Sequence, residues 1–238
     1  MIGNMREVIE LSGKDNKESL NIIVTKVLDV LKSGGLALIP DGVGYGLVGN
    51  SAESIRRIFD IKGRSLEKSL THYMSVDYIS NVAILDEKNT QLIDEITKRV
   101  PCCFAVPYNN NSPYFRSLDQ FALKQSTKSN TVALFFERED ALIKNLLQLS
   151  LSQDFPLIVS SANLSCKGNN YRFEEVLEQG IPELVDICVY SKIPCKYESE
   201  ASISDTKLGS TIIKLPEKQI IREGIFARQI KKFLGEYK

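Results

Sequence analysis

The sequence predicts an α/β domain, because helical and strand-like segments alternate along the chain. Residues 15–33 are apolar at helical spacing and are followed by a glycine pair, which typically ends a helix. Residues 102–107 and 131–136 are apolar, β-leaning runs of strand length, and a helical pattern at 139–153 follows the second of them. We therefore expect strands that are covered by helices.

The same two patterns predict the remaining elements. Further strands are predicted at 6–11, 36–40, 156–159, 185–189, 211–215 and 219–222. Further helices are predicted at 51–62, 89–99, 173–178 and 225–234. Residues 65–78 have no clear pattern, and 82–85 favours a short strand or a turn. The chain is predicted to consist of a short lead-in, residues 1–14, and a single domain, residues 15–238.

Composition and charge argue against several classes of protein. The chain of 238 residues has 30 basic and 30 acidic side chains, so its net charge does not indicate non-specific binding of nucleic acid. A local basic patch is not excluded. No apolar run reaches the roughly 18 residues that a membrane span needs. The N-terminal residues also lack the apolar core of a signal peptide. We therefore expect a cytoplasmic protein with no membrane association.

Cysteine and histidine content argues against a metal centre. The five cysteines form no CxxC pair, which favours buried, reduced thiols over a zinc site or a disulfide framework. His72 is the single histidine, so a site that needs two or more is excluded and a Ser/His/Asp triad has no support. No metal ligand is predicted.

Residues 36–64 combine a predicted strand, a glycine-rich segment and a helix. Residues 41–50 hold four glycines and are predicted to form a loop, and the sequence Lys62-Gly63-Arg64 closes the helix that follows. Glycines let backbone N–H groups approach an anion, and the two cations neutralise it, so this stretch predicts a phosphate site. Favourable charge at the negative end of a helix is the simpler explanation of the two cations.

Within that segment, residues 44–49 read GYGLVG and match the GxGxxG pattern of dinucleotide-binding folds. Such folds also carry an acidic residue about 20 positions later, at the end of a second strand. No clear strand precedes Glu67, the acidic residue in that region. An NAD or FAD site and a tight loop without a ligand both stay open at this point.

Three further polar motifs lie at the ends of predicted strands. Residues 160–163, which read SSAN, follow one strand, at the edge where open α/β sheets bind ligands. Ser210 and Thr211 open another strand, and Arg222 ends a third. Hydroxyl, amide and guanidinium groups can hydrogen-bond phosphate, ribose or carboxylate, although turns and helix caps also favour Ser and Asn.

In this order and at these separations, the motifs resemble the YrdC family. Its members include the threonylcarbamoyl-AMP synthases of tRNA modification and a domain of carbamoyl-transferring maturation proteins. The resemblance covers nearly the whole chain, from about residue 19 to residue 233. The matching residues are Gly34 and Gly35 before a strand, Pro40, Tyr45, Gly46 and Leu47 of P-x-x-x-x-Y-G-L, Lys62 and Arg64 of KxR, Ser161 and Asn163 of SxN, Ser210, Thr211 and Ile212 of S-T-[IV], and Arg222 and Gly224 of RxG.

The resemblance implies a twisted mixed sheet with flanking helices around a central, positively lined cavity. It also implies a reaction: a carbamate formed from L-threonine and bicarbonate attacks the α-phosphate of ATP, and pyrophosphate leaves. ATP would act with Mg²⁺, which phosphates and water would largely hold. The resemblance makes Lys62, Arg64, Ser161 and Asn163 the candidate catalytic residues, and it makes these four, together with Ser210, Thr211 and Arg222, the candidate contacts of ATP and its phosphates.

Departures from the family pattern concern the acyl-substrate pocket. The family commonly reads PTDTVYGL where this chain reads PDGVGYGL, so that Asp41 replaces a threonine. Cys103 replaces a second threonine, and an arginine usual in a later strand falls on Phe135. Each lost partner of a buried polar ligand costs about 1–3 kcal/mol, which favours an acyl substrate other than threonine. The candidate pocket residues are Asp41, Tyr45, His72 and Cys103.

Three functions stay open. The first is a threonylcarbamoyl-AMP synthase that takes ATP, bicarbonate and a small amino acid and acts with tRNA-modification proteins. The second is a related adenylate or carbamoyl-adenylate former with a different acyl substrate. The third is a non-catalytic module that binds a nucleotide or double-stranded RNA. Release of pyrophosphate separates the first two from the third, and the requirement for an amino acid separates the first from the second.

Overall fold

A computed structural model describes residues 7–201 and 207–236. Strands and helices are numbered here in chain order. The strands are β1 (Glu7–Leu11), β2 (Ala37–Asp41), β3 (Gly44–Gly49), β4 (Thr71–Tyr73), β5 (Cys102–Pro107), β6 (Thr127–Lys128), β7 (Thr131–Phe136), β8 (Ile158–Ser161), β9 (Ile187–Ser191), β10 (Ile212–Lys214) and β11 (Gln219–Arg222). The helices are α1 (Lys17–Lys32), α2 (Ala52–Lys62), α3 (Ile79–Val82), α4 (Glu87–Thr97), α5 (Pro113–Arg116), α6 (Gln120–Ser126), α7 (Ala141–Leu151), α8 (Phe173–Glu178), α9 (Glu198–Ala201) and α10 (Ala227–Glu236).

All of these strands belong to one twisted sheet in the order β1-β9-β2-β3-β8-β4-β7-β5-β10-β11, and β6 pairs with β7. The centre of the sheet, from β2 through β3 and β8 to β4, is antiparallel. Parallel pairs lie to either side, β1 with β9 and β2 with β9 on one side and β4 with β7 on the other. The predicted α/β class and the mixed sheet flanked by helices are confirmed.

Helix α1 shows how the local sequence positions the covering helices. Asn16 caps its start, since the Asn16 side chain accepts a hydrogen bond from Ser19 N at 2.9 Å. Such a cap stabilises a helix by about 1 kcal/mol. One face of α1 is apolar and buried, and α1 packs beside α7. Removal of this face from water is the main driving force for covering the sheet.

The prediction of a glycine-rich loop over residues 41–50 is wrong in its central part. Gly44–Gly49 form β3, a fully buried strand. It pairs with β2 on one side and with β8 on the other, so its backbone N–H groups are largely used within the sheet. Within this range, the turn between β2 and β3 at residues 42–43, and Asn50 after β3, are the parts that lie outside strands. An NAD or FAD site on a GxGxxG turn therefore lacks the turn that it requires.

Glycines in β3 are required by close packing. A Cβ atom at Gly46 would lie 2.7 Å from the Tyr73 hydroxyl and 2.9 Å from a methyl group of Val159. Gly44 has a φ of +135°, and a Cβ there would lie 2.7 Å from the backbone oxygen of Asn170. The glycine pattern thus makes room for neighbouring strands and loops.

Several short elements differ from the prediction. β4 lies in the segment 65–78 that has no sequence pattern, because a three-residue strand is too short to show a period. The segment 82–85 is neither a strand nor a simple turn: Val82 is the last residue of α3, and Ala83 forms a single bridge with Tyr108. The helices α5 and α6 were not predicted. The bounds of β5, β7, α8 and β11 agree with the prediction.

At the N-terminal end, β1 is an edge strand that pairs with β9, as predicted, from Glu7 onward; Arg6 lies outside the described residues. The division into residues 1–14 and 15–238 stays a prediction. Across the described part of the chain, none of the helices has both the length and the apolar character that crossing a membrane requires.

Candidate active-site cleft

A small cleft lies where β3, β4 and β8 are neighbours in the sheet. It is bordered by the segment that follows α2, by the residue that precedes β10 and by the end of β11. Its volume is about 100 Å³. Six of the predicted site residues line it: Asp41, Tyr45, Arg64, Ser161, Ser210 and Arg222.

Lys62 lies just beneath this cleft, at the end of α2. Its side chain is buried, with 2% of its surface exposed. The ammonium group donates to the backbone oxygen and side-chain oxygen of Asn163, at 2.8 and 3.1 Å, and to the backbone oxygen of Ser161. Lys62 therefore fixes the segment after β8 and presents Ser161 to the cleft, rather than entering the cleft itself.

The local sequence explains the position of Lys62. Ser51 caps the start of α2 and accepts a hydrogen bond from Ser54 N at 3.1 Å. Gly63 ends the helix in the left-handed conformation, with a φ of 54°. Because Lys62 is the last helical residue, its side chain can reach the end of β8. Burial, with a smaller effect of Arg64, lowers the pKa of Lys62 to about 7, so a nearby anion would favour its protonated form.

Arg64 reaches the cleft from the segment between α2 and β4. Its Nη2 donates to the backbone oxygen of Ser69 at 3.0 Å, which holds that segment against the cleft. Burial and the neighbouring charge of Arg222 lower the pKa of Arg64. Among the described residues, neither arginine forms an ion pair with a carboxylate. Two adjacent guanidinium groups without a counter-charge suit an anionic ligand.

Ser210 and Arg222 are joined directly. The guanidinium of Arg222 donates to the backbone oxygen of Ser210 at 2.7 and 3.1 Å and to its hydroxyl at 3.1 Å. Thr211 lies behind them and is buried; its hydroxyl donates to the Ile225 backbone oxygen at 2.7 Å and accepts from Gly224 N at 3.1 Å. The hydroxyl of Thr211 is thus a structural link between two backbone segments.

Asp41 lies at the other side of the cleft, at the end of β2. The Tyr73 hydroxyl donates to Asp41 Oδ2 at 2.6 Å, and Val43 N donates to Oδ1 at 2.7 Å. Burial, with smaller contributions from the carboxyl groups of Glu137 and Asp140, raises the pKa of Asp41 to about 7 despite these two hydrogen bonds. We call Asp41 and Tyr73 the aspartate side, and Arg64, Ser161, Ser210 and Arg222 the arginine side.

The structure does not bring every predicted residue to the cleft. Along β4, Thr71 and Tyr73 line the cleft, whereas His72 points to the opposite face because side chains alternate in a strand. His72 is fully buried against the rings of Tyr114 and Phe115, and its Nδ1 lies 3.1 Å from the Tyr114 hydroxyl. Burial lowers the pKa of His72 to about 3, so it is neutral at ordinary pH.

Four other predicted residues lie at or near the cleft without offering it a free polar group. Cys103 is buried beneath the lining, and burial raises its pKa to about 12. The Tyr45 hydroxyl is used by the backbone of Ser191, at 3.0 Å from its N and 3.2 Å from its O. Asn163 is buried and bonded to Lys62. Thr211 serves the backbone contact described above.

Sequence reasoning missed Tyr73, Ser69 and Asn169, which also line the cleft. Tyr73 and Ser69 lie in the segment without a sequence pattern, so no local signal marks them. Asn169 Nδ2 donates to the backbone oxygen of Val43 at 3.0 Å and so ties a distant loop to the turn after β2. Such a contact, between positions 126 residues apart in the chain, leaves no trace in the spacing of a single sequence.

A larger cavity, of about 720 Å³, lies between residues 74–78 and α7. No predicted site residue lines it, and its one arginine, Arg138, already pairs with Asp94 at 2.7 Å. Functional sites are recognised by converging polar groups as well as by size. We therefore take the smaller cleft as the candidate site. Among the described residues, no group of three or more His, Cys, Asp or Glu could hold a metal ion.

Comparison with protein families gave one match. A family model named for Sua5, YciO and YrdC, and described as telomere recombination, matches residues 29–224. A search of curated proteins with this sequence gave no match.

Solved structures with the same fold are distant in sequence. A P. abyssi Sua5 variant is 19% identical with a TM-score of 0.71, over 96% of this chain and 63% of that one. P. abyssi Sua5 complexed with L-threonine is 18% identical with a TM-score of 0.71, over 98% of this chain and 61% of that one. E. coli YciO is 17% identical with a TM-score of 0.67, over 93% of this chain and 96% of that one. The chain thus spans less than two thirds of the Sua5 structures, and these likenesses show the fold alone.

Proposed function

Since the chain belongs to the Sua5/YciO/YrdC family, we propose that it is an ATP-dependent nucleotidyltransferase of the threonylcarbamoyl-AMP synthase type. The observation that carries the proposal is the convergence of Arg64, Ser161, Ser210 and Arg222 on one cleft. These residues come from four separate segments of the chain, and the two arginines have no carboxylate partner among the described residues. A ligand with several negative charges is the chemistry that such a group fits.

In the proposed reaction, a carbamate or carboxylate oxygen attacks the α-phosphate of ATP, and the bond to pyrophosphate breaks. The protein has mainly to position the two reactants and to neutralise the charge that spreads over the phosphates. Arg64 and Arg222 would bind the phosphates, while the hydroxyls of Ser161 and Ser210 would orient them. Lys62 would act as a positioning residue, since its ammonium group holds Ser161 and Asn163 from beneath.

ATP would enter as its Mg²⁺ complex, with the ion held by phosphate oxygens and water. The volume of about 100 Å³ is small beside the roughly 300 Å³ or more of a typical ligand pocket. The cleft therefore suits the reacting phosphate and the acyl group, with the rest of the nucleotide at its open border.

The likeness to a Sua5 structure complexed with L-threonine supports an amino acid as one candidate for the acyl substrate. Bicarbonate would then supply the carbamate carbon, and the product would be passed to tRNA-modification proteins. Binding of double-stranded RNA stays a prediction from the sequence.

The experiment that tests the proposal measures pyrophosphate release from ATP, with Mg²⁺, bicarbonate and a panel of small amino acids and amines. We expect release that depends on an added acyl substrate and that Arg64→Ala lowers by about 10²–10³-fold. Arg56→Ala is the matched control, because Arg56 is exposed on α2, the helix that precedes Arg64, and stacks on Phe121, away from the cleft. Absence of release, together with absence of MgATP binding by calorimetry, would refute the proposal.

A further inference from the structure

Asp41 is the single carboxylate that lines the cleft among the described residues. Its side chain is largely buried, with 8% of the residue surface exposed, so solvent gives it little stabilisation. A buried carboxylate is stable when a cation or several donors meet it. If the protein does not supply a cation or enough donors for Asp41, a ligand bound in the cleft can supply them.

The protein supplies only some of the hydrogen-bond donors that an ionised Asp41 can accept. Tyr73 and Val43 give Asp41 one neutral donor for each oxygen, whereas an ionised carboxylate has about four acceptor positions. Among the described residues, no Lys or Arg forms an ion pair with Asp41. The charged neighbours that act on Asp41 are the carboxyl groups of Glu137 and Asp140, which carry the same sign.

The cleft surface between the two sides is apolar in part. Val43, Phe135 and Val159 line it, and the ring of Phe135 lies 5.8 Å from the ring of Tyr73. These three side chains have no group that can donate a hydrogen bond to a second carboxylate of the acyl substrate. The two arginines are on the other side, where they would be engaged with phosphate. A free carboxylate placed beside Asp41 would meet a like charge and an apolar wall.

We propose that the acyl substrate of this protein carries a reactive carboxylate or carbamate at one end and an ammonium group at the other, and that Asp41 binds the ammonium group. The inference rests on the proposed function, since it names the substrate of the same cleft. It assigns to Asp41 the role of a specificity residue: it selects a cationic end and rejects amino acids that keep a free carboxylate there. Tyr73 fixes the orientation of the Asp41 carboxylate through its hydroxyl.

Two forms of this substrate class balance chemically. An ω-amino acid attacks ATP with its own carboxylate, so that an acyl–oxygen–phosphorus bond forms, pyrophosphate leaves and no bicarbonate is consumed. A diamine first adds bicarbonate at one amine, which releases water and gives a carbamate. The carbamate oxygen then attacks the α-phosphate and displaces pyrophosphate, while the second amine stays protonated and faces Asp41.

The test measures kcat/KM for pyrophosphate release from ATP with four probes. β-Alanine and 4-aminobutyrate are added without bicarbonate, and 1,3-diaminopropane and L-threonine are each added with bicarbonate. The wild-type protein is compared with Asp41→Asn and Asp41→Thr. Asp41→Asn keeps the shape of the side chain, and melting followed by circular dichroism verifies that each variant is folded. Asp29→Asn, an exposed change on α1, controls for the loss of one negative charge.

We expect at least one ammonium-bearing probe to exceed threonine by about tenfold or more in wild-type protein. Both Asp41 variants should lose at least tenfold of that activity and leave the half-saturating concentration of ATP unchanged. A preference for threonine in wild-type protein would overturn the inference and leave the proposed function intact. Release with none of the probes would also overturn it, and a MgATP titration would then show whether the proposed function fails with it.

Discussion

The two sides of the cleft have opposite charge and are built in different ways. On the arginine side, cations and hydroxyls from separate segments are held by hydrogen bonds to backbone oxygens, as when Arg64 donates to Ser69 O and Arg222 to Ser210 O. On the aspartate side, a buried carboxylate is held by one hydroxyl and one backbone N–H, with further carboxylates nearby. The first arrangement suits phosphate in general, and the second suits one particular group of an acyl substrate. Substitutions on the aspartate side can therefore change the specificity for the acyl substrate while the arginine side continues to bind phosphate.

The largest effect is expected from Arg64→Ala. Loss of one charge-stabilising donor in an active site typically lowers the rate by about 10²–10³-fold. We expect a loss of that size in kcat/KM for pyrophosphate release, with little change in the melting temperature because Arg64 is half-buried. Arg56→Ala should keep the wild-type rate. Equal losses in the two variants would show that positive charge in and after α2 in general, rather than the contact of Arg64 with phosphate, determines the rate.

Lys62→Met should act on stability first. The change leaves the backbone oxygens of Ser161 and Asn163 without the buried ammonium group that now donates to them. A buried acceptor without a partner costs about 1–3 kcal/mol, so the free energy of unfolding in urea should fall by about 2–3 kcal/mol. Lys88→Met, at an exposed position of α4, should change it by less than about 0.5 kcal/mol. A stable Lys62→Met protein would contradict the positioning role.

Asp41→Asn should change how the free energy of unfolding depends on pH, which tests the description of the aspartate side. Burial raises the pKa of Asp41 from 3.8 to about 7, so between these values the folded protein holds a proton that the unfolded chain has released. Stability from this group is therefore highest at low pH and is lost as the pH rises toward 7. At pH 8, Asp41→Asn should therefore raise the free energy of unfolding above that of the wild-type protein, and the gain should disappear near pH 4.

The groups that face Asp41 in this experiment are Tyr73 on β4, Tyr171, Cys195, Glu137 after β7 and Asp140 at the start of α7. Glu137 is buried as well, and its pKa is also raised to about 7, mainly by burial. Glu137→Gln should therefore show the same sign of effect in the same pH window. Denaturation that is equally pH-dependent in wild-type protein and both variants would refute this account of the aspartate side.

The smallest effect is expected from Ser210→Ala. The hydroxyl of Ser210 accepts one hydrogen bond from Arg222, whereas the backbone oxygen keeps two. Loss of one neutral hydrogen bond costs about 0.5–1.5 kcal/mol, so KM for ATP should rise by about 2–10-fold with little change in kcat. Ser80→Ala, at an exposed position of α3, is the control and should leave KM unchanged. A fall in kcat alone would assign Ser210 to the chemical step.

Physical reasons explain which parts could be predicted from the sequence. Helices with an apolar face and caps, such as α1 and α7, have a local period that the sequence displays. The sequence predicts a loop at β3 because a cluster of glycines is typical of loops. In this protein the glycines of β3 instead make room for Tyr73 and Asn170. β4 was missed since its three residues are defined by its neighbours β7 and β8 rather than by a pattern of its own.

The site shows the same division. Lys62, Arg64, Ser161, Ser210 and Arg222 could be named because cations and hydroxyls at strand and helix ends are visible in the sequence and matched family motifs. That Lys62 lies beneath the cleft and Arg64 within it could not be read from KxR alone. The pair Asp41–Tyr73 could not be predicted either, since the two residues are 32 positions apart and meet only through the order of strands in the sheet.

The most direct test of the two-sided cleft is a calorimetric titration of MgATP into wild-type protein, Arg64→Ala and Asp41→Asn. If the arginine side binds the nucleotide and the aspartate side binds the acyl substrate, Arg64→Ala should weaken MgATP binding by about 10–100-fold, since a charge-assisted contact is worth about 1.5–3 kcal/mol. Asp41→Asn should leave MgATP binding within about twofold of wild type. Equal weakening in both variants, or wild-type protein that does not bind MgATP, would contradict the account.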